Sequence, residues 1–370
     1  MKKKVLHVGL DVDDKSFHIG AFCRETGEIF ELTSKPNVGN LMRKLEKFTK
    51  QDFELKLCYE ATYIGYSLCR DLNKNGFITE IIASSMIPEV ASGRVKTDRL
   101  DALKLAKYYS NDLLTSIHIP DEEEEQDRDL LRARNFLVDQ RKILRRHILS
   151  TCRRNNMHYK VETGLKHHWT LKHENWLIDR VNKLSGAIRL NLEILLRQLE
   201  KISEGIAEYD KAIEELAETT KYKSKKDALN CFRGISTLTA MTFITEIGDV
   251  RRFKHPRQLT SYCGLDVSEY SSGGKEKKFG ITKMGNWRIR TSIIESCQRL
   301  DRVKPLSKRL KAHRAGQDVK VIDIADRCTK RLKKKSNNLL DAGKHRNKVK
   351  VACAREFLGF VWETLHHVAA

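Results

Sequence analysis

Three strand patterns follow one another near the start of this 370-residue chain, strands and helices then alternate to about residue 120, and helical periodicity takes over beyond. That order predicts an α/β domain of RNase H type over 1–120, a helical and coiled-coil middle, and a mainly α C-terminal part. No G-x-G-x-x-G follows the first strand, which sets aside a Rossmann domain.

Along the strand at 5–12, Leu6, Val8, Leu10 and Val12 share one face while His7, Gly9 and Asp11 occupy the other. A turn at Asp13-Asp14-Lys15 leads to a strand at 16–23, and Thr26-Gly27 turns into a third near 29–32. Val38, Leu41, Leu45 and Phe48 mark an amphipathic helix. A strand at 53–60, a helix at 63–75, a strand at 78–83 and a helix opening near Thr97 complete the domain.

An acidic run at 121–125 opens a helix that becomes basic through Arg128, Arg132, Arg134, Arg141, Lys142, Arg145, Arg146, Arg153 and Arg154. Farther on, Leu192, Leu195, Leu199, Ile202, Ile206, Tyr209, Ile213 and Leu216 recur at alternating steps of three and four, a heptad seam. The four-residue step from Ile188 to Leu192, after Val181 and Leu184, reads as a stutter. Residues 121–226 are thus expected to form a dimerisation arm, and the chain a homo-oligomer, dimer or tetramer; packing of the seam inside one domain is the plainer alternative. Residues 227–300 read as a second small domain with a helix-hairpin-helix-like element, and 301–370 as a basic helical tail ending in an apolar helix.

Seventy Lys and Arg against 49 acids give a net charge of +21, which a polyanion would screen; nucleic acid is the expected partner. No apolar run approaches the roughly 20 residues that span a bilayer. The basic start runs straight into a strand pattern, so no signal peptide is expected and no membrane partner. The nine cysteines are scattered with no CxxC pair, which argues against structural zinc and for reduced, buried thiols in a cytoplasmic, nucleoid-associated protein.

Four carboxylates stand out. Asp11 ends the first strand, Glu60 ends the fourth, and Asp98 and Asp101, three apart, share one helical face. An RNase H-type sheet makes the first and fourth strands neighbours, so the four can meet. Phosphoryl transfer on DNA needs such a cluster, whose oxygens hold two Mg²⁺ ions. Each residue also has a plainer reading: Asp11 as a turn former, Asp98 and Asp101 as complements to a helix dipole with Thr97 as N-cap. Their combination, in this order and in a basic chain, favours the catalytic one.

A second group lies at 230–290. Arg233-Gly234-Ile235-Ser236-Thr237 is a glycine turn opening an apolar helix, either a phosphate-holding hairpin element or a simple turn. Ser268-Glu269-Tyr270-Ser271-Ser272-Gly273-Gly274-Lys275 reads as a Ser/Gly loop that holds a phosphate, supplies a nucleophile, or is merely solvated.

Gly9-Leu10-Asp11, Tyr59-Glu60-Ala61-Thr62 and Lys96-Thr97-Asp98-Arg99-Leu100-Asp101-Ala102 resemble the DEDD motif of insertion-sequence transposases that pair a RuvC-like domain with a C-terminal serine domain, relatives of the pilin-gene invertases. Arg233-Gly234-Ile235, Gly248-Asp249, Phe253, Gly264-Leu265, Ser272-Gly273 and Lys283-Met284-Gly285-Asn286-(x)₃-Arg290 resemble that family's second half. The resemblance spans nearly the whole chain. It implies that Asp11, Glu60, Asp98 and Asp101 bind Mg²⁺, and that a serine of 268–274 attacks the scissile phosphate. The serine preceding glycine is Ser272, with Ser271 as the adjacent alternative. It further implies a structured guide (bridge) RNA that selects donor and target DNA. The chain departs from the family's usual pattern at Ser236, where glycine is common, and at Leu265-Asp266-Val267, in place of Leu-x-Pro. Two rivals keep part of this reading: a junction resolvase or repair nuclease that uses water, and a non-catalytic nucleic-acid-binding scaffold.

Overall fold

Alternation along Lys4–Val12 (β1) sends Leu6, Val8, Leu10 and Val12 into a core and leaves His7, Gly9 and Asp11 facing the other way. β1 is the centre of a five-stranded sheet in a computed structural model that describes residues 3–88, 97–272, 275–298 and 305–369, without the side chains of 271, 272, 275 and 276. The chain divides into two units, Met1–Asp121 and Glu122–Ala370.

In the first unit, β2 (Phe17–Cys23) and β3 (Ile29–Ser34) continue antiparallel from β1, while β4 (Phe53–Glu60) and β5 (Ile78–Ile82) run parallel to it on the other side. The order β3-β2-β1-β4-β5 makes the first and fourth strands neighbours, as anticipated for an RNase H-type sheet. Helices α1 (Val38–Thr49) and α2 (Ser67–Lys74) cover one face through Leu41, Leu45, Phe48, Leu68 and Leu72. The second helix starts at Ser67 rather than near 63, because Gly65 turns the chain at φ +70° and its carbonyl accepts the Tyr59 hydroxyl.

Helix α3 (Asp98–Ser110) packs against the opposite face. Gly9 and Gly20 are register partners on β1 and β2, and the α3 backbone sits directly on them. A Cβ on Gly9 would lie 2.2 Å from the Ala102 carbonyl oxygen, and one on Gly20 would lie 2.4 Å from the Leu103 nitrogen. The helix answers with Ala102 and Ala106, both fully buried. Thr97 caps its N-terminus, its hydroxyl oxygen accepting from the Leu100 N–H. Lys96 lies outside the described residues.

In the second unit, α4 (Glu122–Arg154) is one 33-residue helix. After α5 (Tyr159–Thr163) and α6 (Leu171–Asn182), α7 (Gly186–Ala217) returns along it. Leu131 shares a core with Ile213, Arg134 bonds Asp210, and Ile148 packs with Leu192 and Leu199, so the two helices are antiparallel. The buried residues Leu192, Leu199, Ile206 and Ile213 recur every seven, as the heptad pattern requires, but they face α4 of the same chain. The supposed stutter is a helix break: Val181 belongs to α6, Ile188 to α7, and Gly186 between them stands at φ +64°.

Helices α8 (Lys223–Asn230), α9 (Thr237–Ile247) and α10 (Pro256–Tyr262) lead to a hairpin of β6 (Val267–Ser272) and β7 (Lys275–Ile281), then to α11 (Trp287–Ser296), α12 (Lys308–Arg314), α13 (Val319–Asp341) and α14 (Arg346–Ala369). From Glu122 on, the described residues of the segments drawn from sequence at 121–226, 227–300 and 301–370 lie in one unit, and each contributes to one core. In particular 301–370 is no tail: Cys353, Phe357, Leu358 and Val361 of α14 are buried with Phe232, Phe243 and Ile289. All nine cysteines are free and buried.

Gly9→Ala is expected to force α3 off the sheet and to lower stability by about 1–3 kcal/mol in urea unfolding. Gly280→Ala, where a Cβ meets nothing within 4 Å, serves as the control and should shift the midpoint far less.

Candidate active site

Asp11 and Glu60 end parallel neighbours. The register pairs Leu10 with Tyr59, so the next residue on each strand is a carboxylate on the face that α3 covers. Because α3 is seated on Gly9 and Gly20, its first turn, with Asp98 and Asp101, comes down beside them. The convergence shows in the electrostatics of Asp11. Burial raises its pKa first, and the negative fields of Asp98, Asp101 and Glu60 raise it further. His18 opposes them, and sequence reasoning passed it over. It is the cross-strand partner of Asp11, its Nε2 lies 3.7 Å from Asp98 Oδ2 and 3.1 Å from Ser16 Oγ, and it shares a face with Gly20. Pairing the two strands about the turn at 13–15 would have placed it there.

As the side chains stand, no three His, Cys, Asp or Glu among the described residues close on a common metal position. The donor chemistry nonetheless suits a cation. All four are hard oxygen donors, and the negative charge of the other three raises the pKa of Asp11 beyond the effect of burial. Asp98 is 71 % exposed and unconstrained by packing.

The serines lie in the other unit, on a β-hairpin instead of a loop. Register pairs Ser271 with Glu276 and Ser272 with Lys275. Gly273 and Gly274, and the side chains of Ser271 and Ser272, lie outside the described residues. Alternating Val267, Glu269 and Ser271 are compatible with a strand, and a Gly-Gly pair between two strands is a hairpin signal that a loop reading overlooked.

The residues around the hairpin explain several motif positions. Gly264 (φ +63°) and Gly285 (φ +100°) let two backbone segments touch: a Cβ on Gly264 would lie 2.1 Å from Met284 O, and one on Gly285 2.3 Å from Tyr262 O. Thr282 N–H donates to Asp266 O and Asn286 N–H to Tyr262 O, while the Arg290 guanidinium holds Cys263 O at 2.8 Å. Asn286 also caps α11 and reaches Glu246 at 2.7 Å.

Glu246, only 2 % exposed, fastens this region to α4. It accepts two bonds of 2.9 Å from Arg132, and Arg128 donates to the neighbouring Thr245 carbonyl. Arg128, Arg132 and Arg134, although part of the basic run, are committed to internal partners; Lys142, Arg146, Arg153 and Arg154 remain exposed on the same helix. Ser236, the departure from glycine, caps α9, and Gly234 at φ +84° lies against Ser296.

A sheet of this order, with carboxylates at the ends of its two central parallel strands and on the helix across them, defines an RNase H-like domain of DEDD type. A DEDD transposase family model (IS110 type) matches residues 8–154, and the model described as "Transposase IS116/IS110/IS902 family" matches 226–312. The chain is 32 % identical over 323 residues to a putative transposase, y4qE, of Sinorhizobium fredii, covering 87 % of this chain and 78 % of that one. It is 29 % identical over 354 residues to the transposase for insertion sequence element IS1533 of Leptospira borgpetersenii, covering 92 % and 97 %. The chain belongs to the IS110/IS116 family of insertion-sequence transposases, enzymes that cleave and join DNA.

Burial opposes ionisation of Glu246, yet hydrogen bonds from Arg132 and Asn286 outweigh it and hold its pKa below the ordinary 4.5. With a depressed folded-state value, this contribution to stability is complete above pH 4.5 and disappears as pH falls through the lower value. Glu246→Ala is expected to cost about 3–5 kcal/mol at pH 7 by leaving Arg132 uncompensated, and to remove that part of the acid dependence of the melting temperature.

Proposed function

We propose that this transposase cuts and rejoins DNA with Asp11, Glu60, Asp98 and Asp101 as metal ligands and Ser272, or its neighbour Ser271, as nucleophile. The observation that carries the reading is geometric: parallel pairing of Leu10 with Tyr59 sets Asp11 and Glu60 side by side, on the face where the first turn of α3 brings Asp98 and Asp101. Mg²⁺, two ions in the fullest arrangement, would supply Lewis-acid stabilisation of charge on the phosphate. His18 beside Asp98 helps orient that side chain. The serine Oγ–P bond forms as the bond from phosphorus to the leaving deoxyribose oxygen breaks, and the hydroxyl proton ends on that oxygen. The resulting ester retains the energy needed for rejoining without ATP. Lys277 and Lys278, on the strand paired with the serine strand, supply positive charge near the DNA phosphate.

A structured guide RNA from the element itself is part of the proposal. It rests on the motif resemblance described for the sequence, and the +21 charge, much of it on exposed residues such as Lys330, Lys333 and Lys334, suits a nucleic-acid partner. A dimer or tetramer is proposed as well. With the heptad seam closed on α4, the arm still exposes Phe136 (61 %) and Ile143 (52 %), one heptad apart on α4. Phe136→Asp with Ile143→Asp is expected to shift sedimentation to the monomer; an unchanged profile would place the oligomer contact elsewhere.

Asp11→Asn should bind DNA and show no strand cleavage, and cleavage at the wild-type rate would remove the carboxylate assignment. Ser272→Ala should retain binding but form no covalent protein–DNA adduct. Mapping the wild-type adduct to Ser271 would move the role by one residue. Normal recombination by the Ser271→Ala, Ser272→Ala double variant would leave a water-using nuclease as the reading.

A further inference from the structure

Near the C-terminal end of α4, away from the hairpin base, α4, α5 and α6 enclose a cavity of about 180 Å³. Its walls are aromatic. Tyr159 stands edge-on to His173 at 4.6 Å between ring centroids and to Trp176 at 5.2 Å, and His168 meets His173 at 4.9 Å. Glu162 holds Trp176 in place by accepting its indole N–H at 3.3 Å, and also pairs with Arg180. Arg153 and Lys160 line the cavity and are exposed.

His173 is fully buried, yet neither ring nitrogen has a hydrogen-bond partner in the protein; the hydroxyl of buried Tyr159 has none either. Burying such groups is costly unless something bonds them. Burial also lowers the pKa of His173 to about 4, so at neutral pH its ring offers one donor and one acceptor. Flat apolar walls, a donor–acceptor edge and a cationic rim match three parts of one ligand: the faces of a heterocycle, its hydrogen-bonding edge and the phosphate attached to it.

We propose that this cavity takes a single unpaired nucleobase, with the joined aromatic wall of Trp176 and Tyr159 on one side of it, His173 and the Tyr159 hydroxyl on its edge, and Arg153 and Lys160 at its phosphate. A paired base would have its edge already occupied, and a base pair exceeds the space. The base can come from RNA or from a displaced DNA strand. The inference rests on the reading that the protein acts on nucleic acid, but it is independent of the carboxylates and the serine.

Fluorescence anisotropy with labelled 15-nucleotide oligo(U), oligo(dT) and a 15-base-pair duplex tests it. In His173→Phe, which keeps a ring and removes the edge, the ratio of single-strand to duplex affinity should fall about tenfold. A ratio equal to wild type would overturn the proposal. A second measurement needs no variant: wild-type protein irradiated with oligo(U) carrying 4-thiouridine, or oligo(dT) carrying 4-thiothymidine, should crosslink within residues 157–176. The oligonucleotide that crosslinks better identifies the source of the base. Duplex binding with crosslinks confined to other segments would overturn the cavity alone. Failure to bind any of the three probes would overturn the nucleic-acid reading beneath it.

Discussion

The α3 backbone rests on the sheet at Gly9 and Gly20, two residues paired across β1 and β2, with no side chain between helix and strand. A helix held on a sheet by larger side chains would stand farther off, and its N-terminal carboxylates would then end above the strand ends. At these two glycines the spacing shrinks until helix carbonyl and strand Cα meet, and Asp98 and Asp101 descend to the level of Asp11 and Glu60. Repulsion among those groups opposes the arrangement, as the elevated pKa of Asp11 records. What opposes the repulsion is packing elsewhere: the small Ala102 and Ala106 against the sheet, and the fully apolar face of β1 anchored beneath α1 and α2.

The second unit solves a different problem with charge. Its hairpin is a two-stranded sheet, which is marginal by itself. Its base is held by glycine contacts and main-chain bonds, and that base is tied through Asn286 and Glu246 to Arg132 of α4. A buried carboxylate with a bidentate arginine contributes little net stability compared with an apolar pair, but it fixes one geometry. The cost falls on the positive charge available for DNA: the arginines in the first half of α4 turn inward, and the exposed cations lie farther along α4 and on α13.

Strands were legible where alternation was strict. β4 occupies the very span that its pattern predicts, and β1 divides its faces as read. Local backbone conformations were less so: nothing in Tyr63-Ile64-Gly65 signals that Gly65 will delay α2, and Gly186 sits inside an otherwise continuous helical periodicity. The heptad seam was visible but its partner was not, since repeat spacing says a face is buried and not against which chain. α14 looked like the end of a tail because its basic neighbours are close in sequence and its core partners, Phe232 and Ile289, are more than fifty residues away. Of the site, Asp11 and Glu60 could be placed from strand order, while the descent of Asp98 and Asp101 toward them depends on the seat of α3 on Gly9 and Gly20. His18 needed the β1–β2 register, and Glu246 a contact across 114 residues.

α4 contains neither proline nor glycine among its 33 residues, the usual origins of a kink. Arg132 near one end grips the region that carries the serine hairpin, and Cys152 near the other borders the aromatic cavity. Twenty residues of unbroken helix put these stations about 30 Å apart on one axis. Such a rod works like the beam of a balance: it bends little, so a tilt of a few degrees imposed at the cavity end reappears at the hairpin as a displacement of ångström size, with no joint between to absorb it.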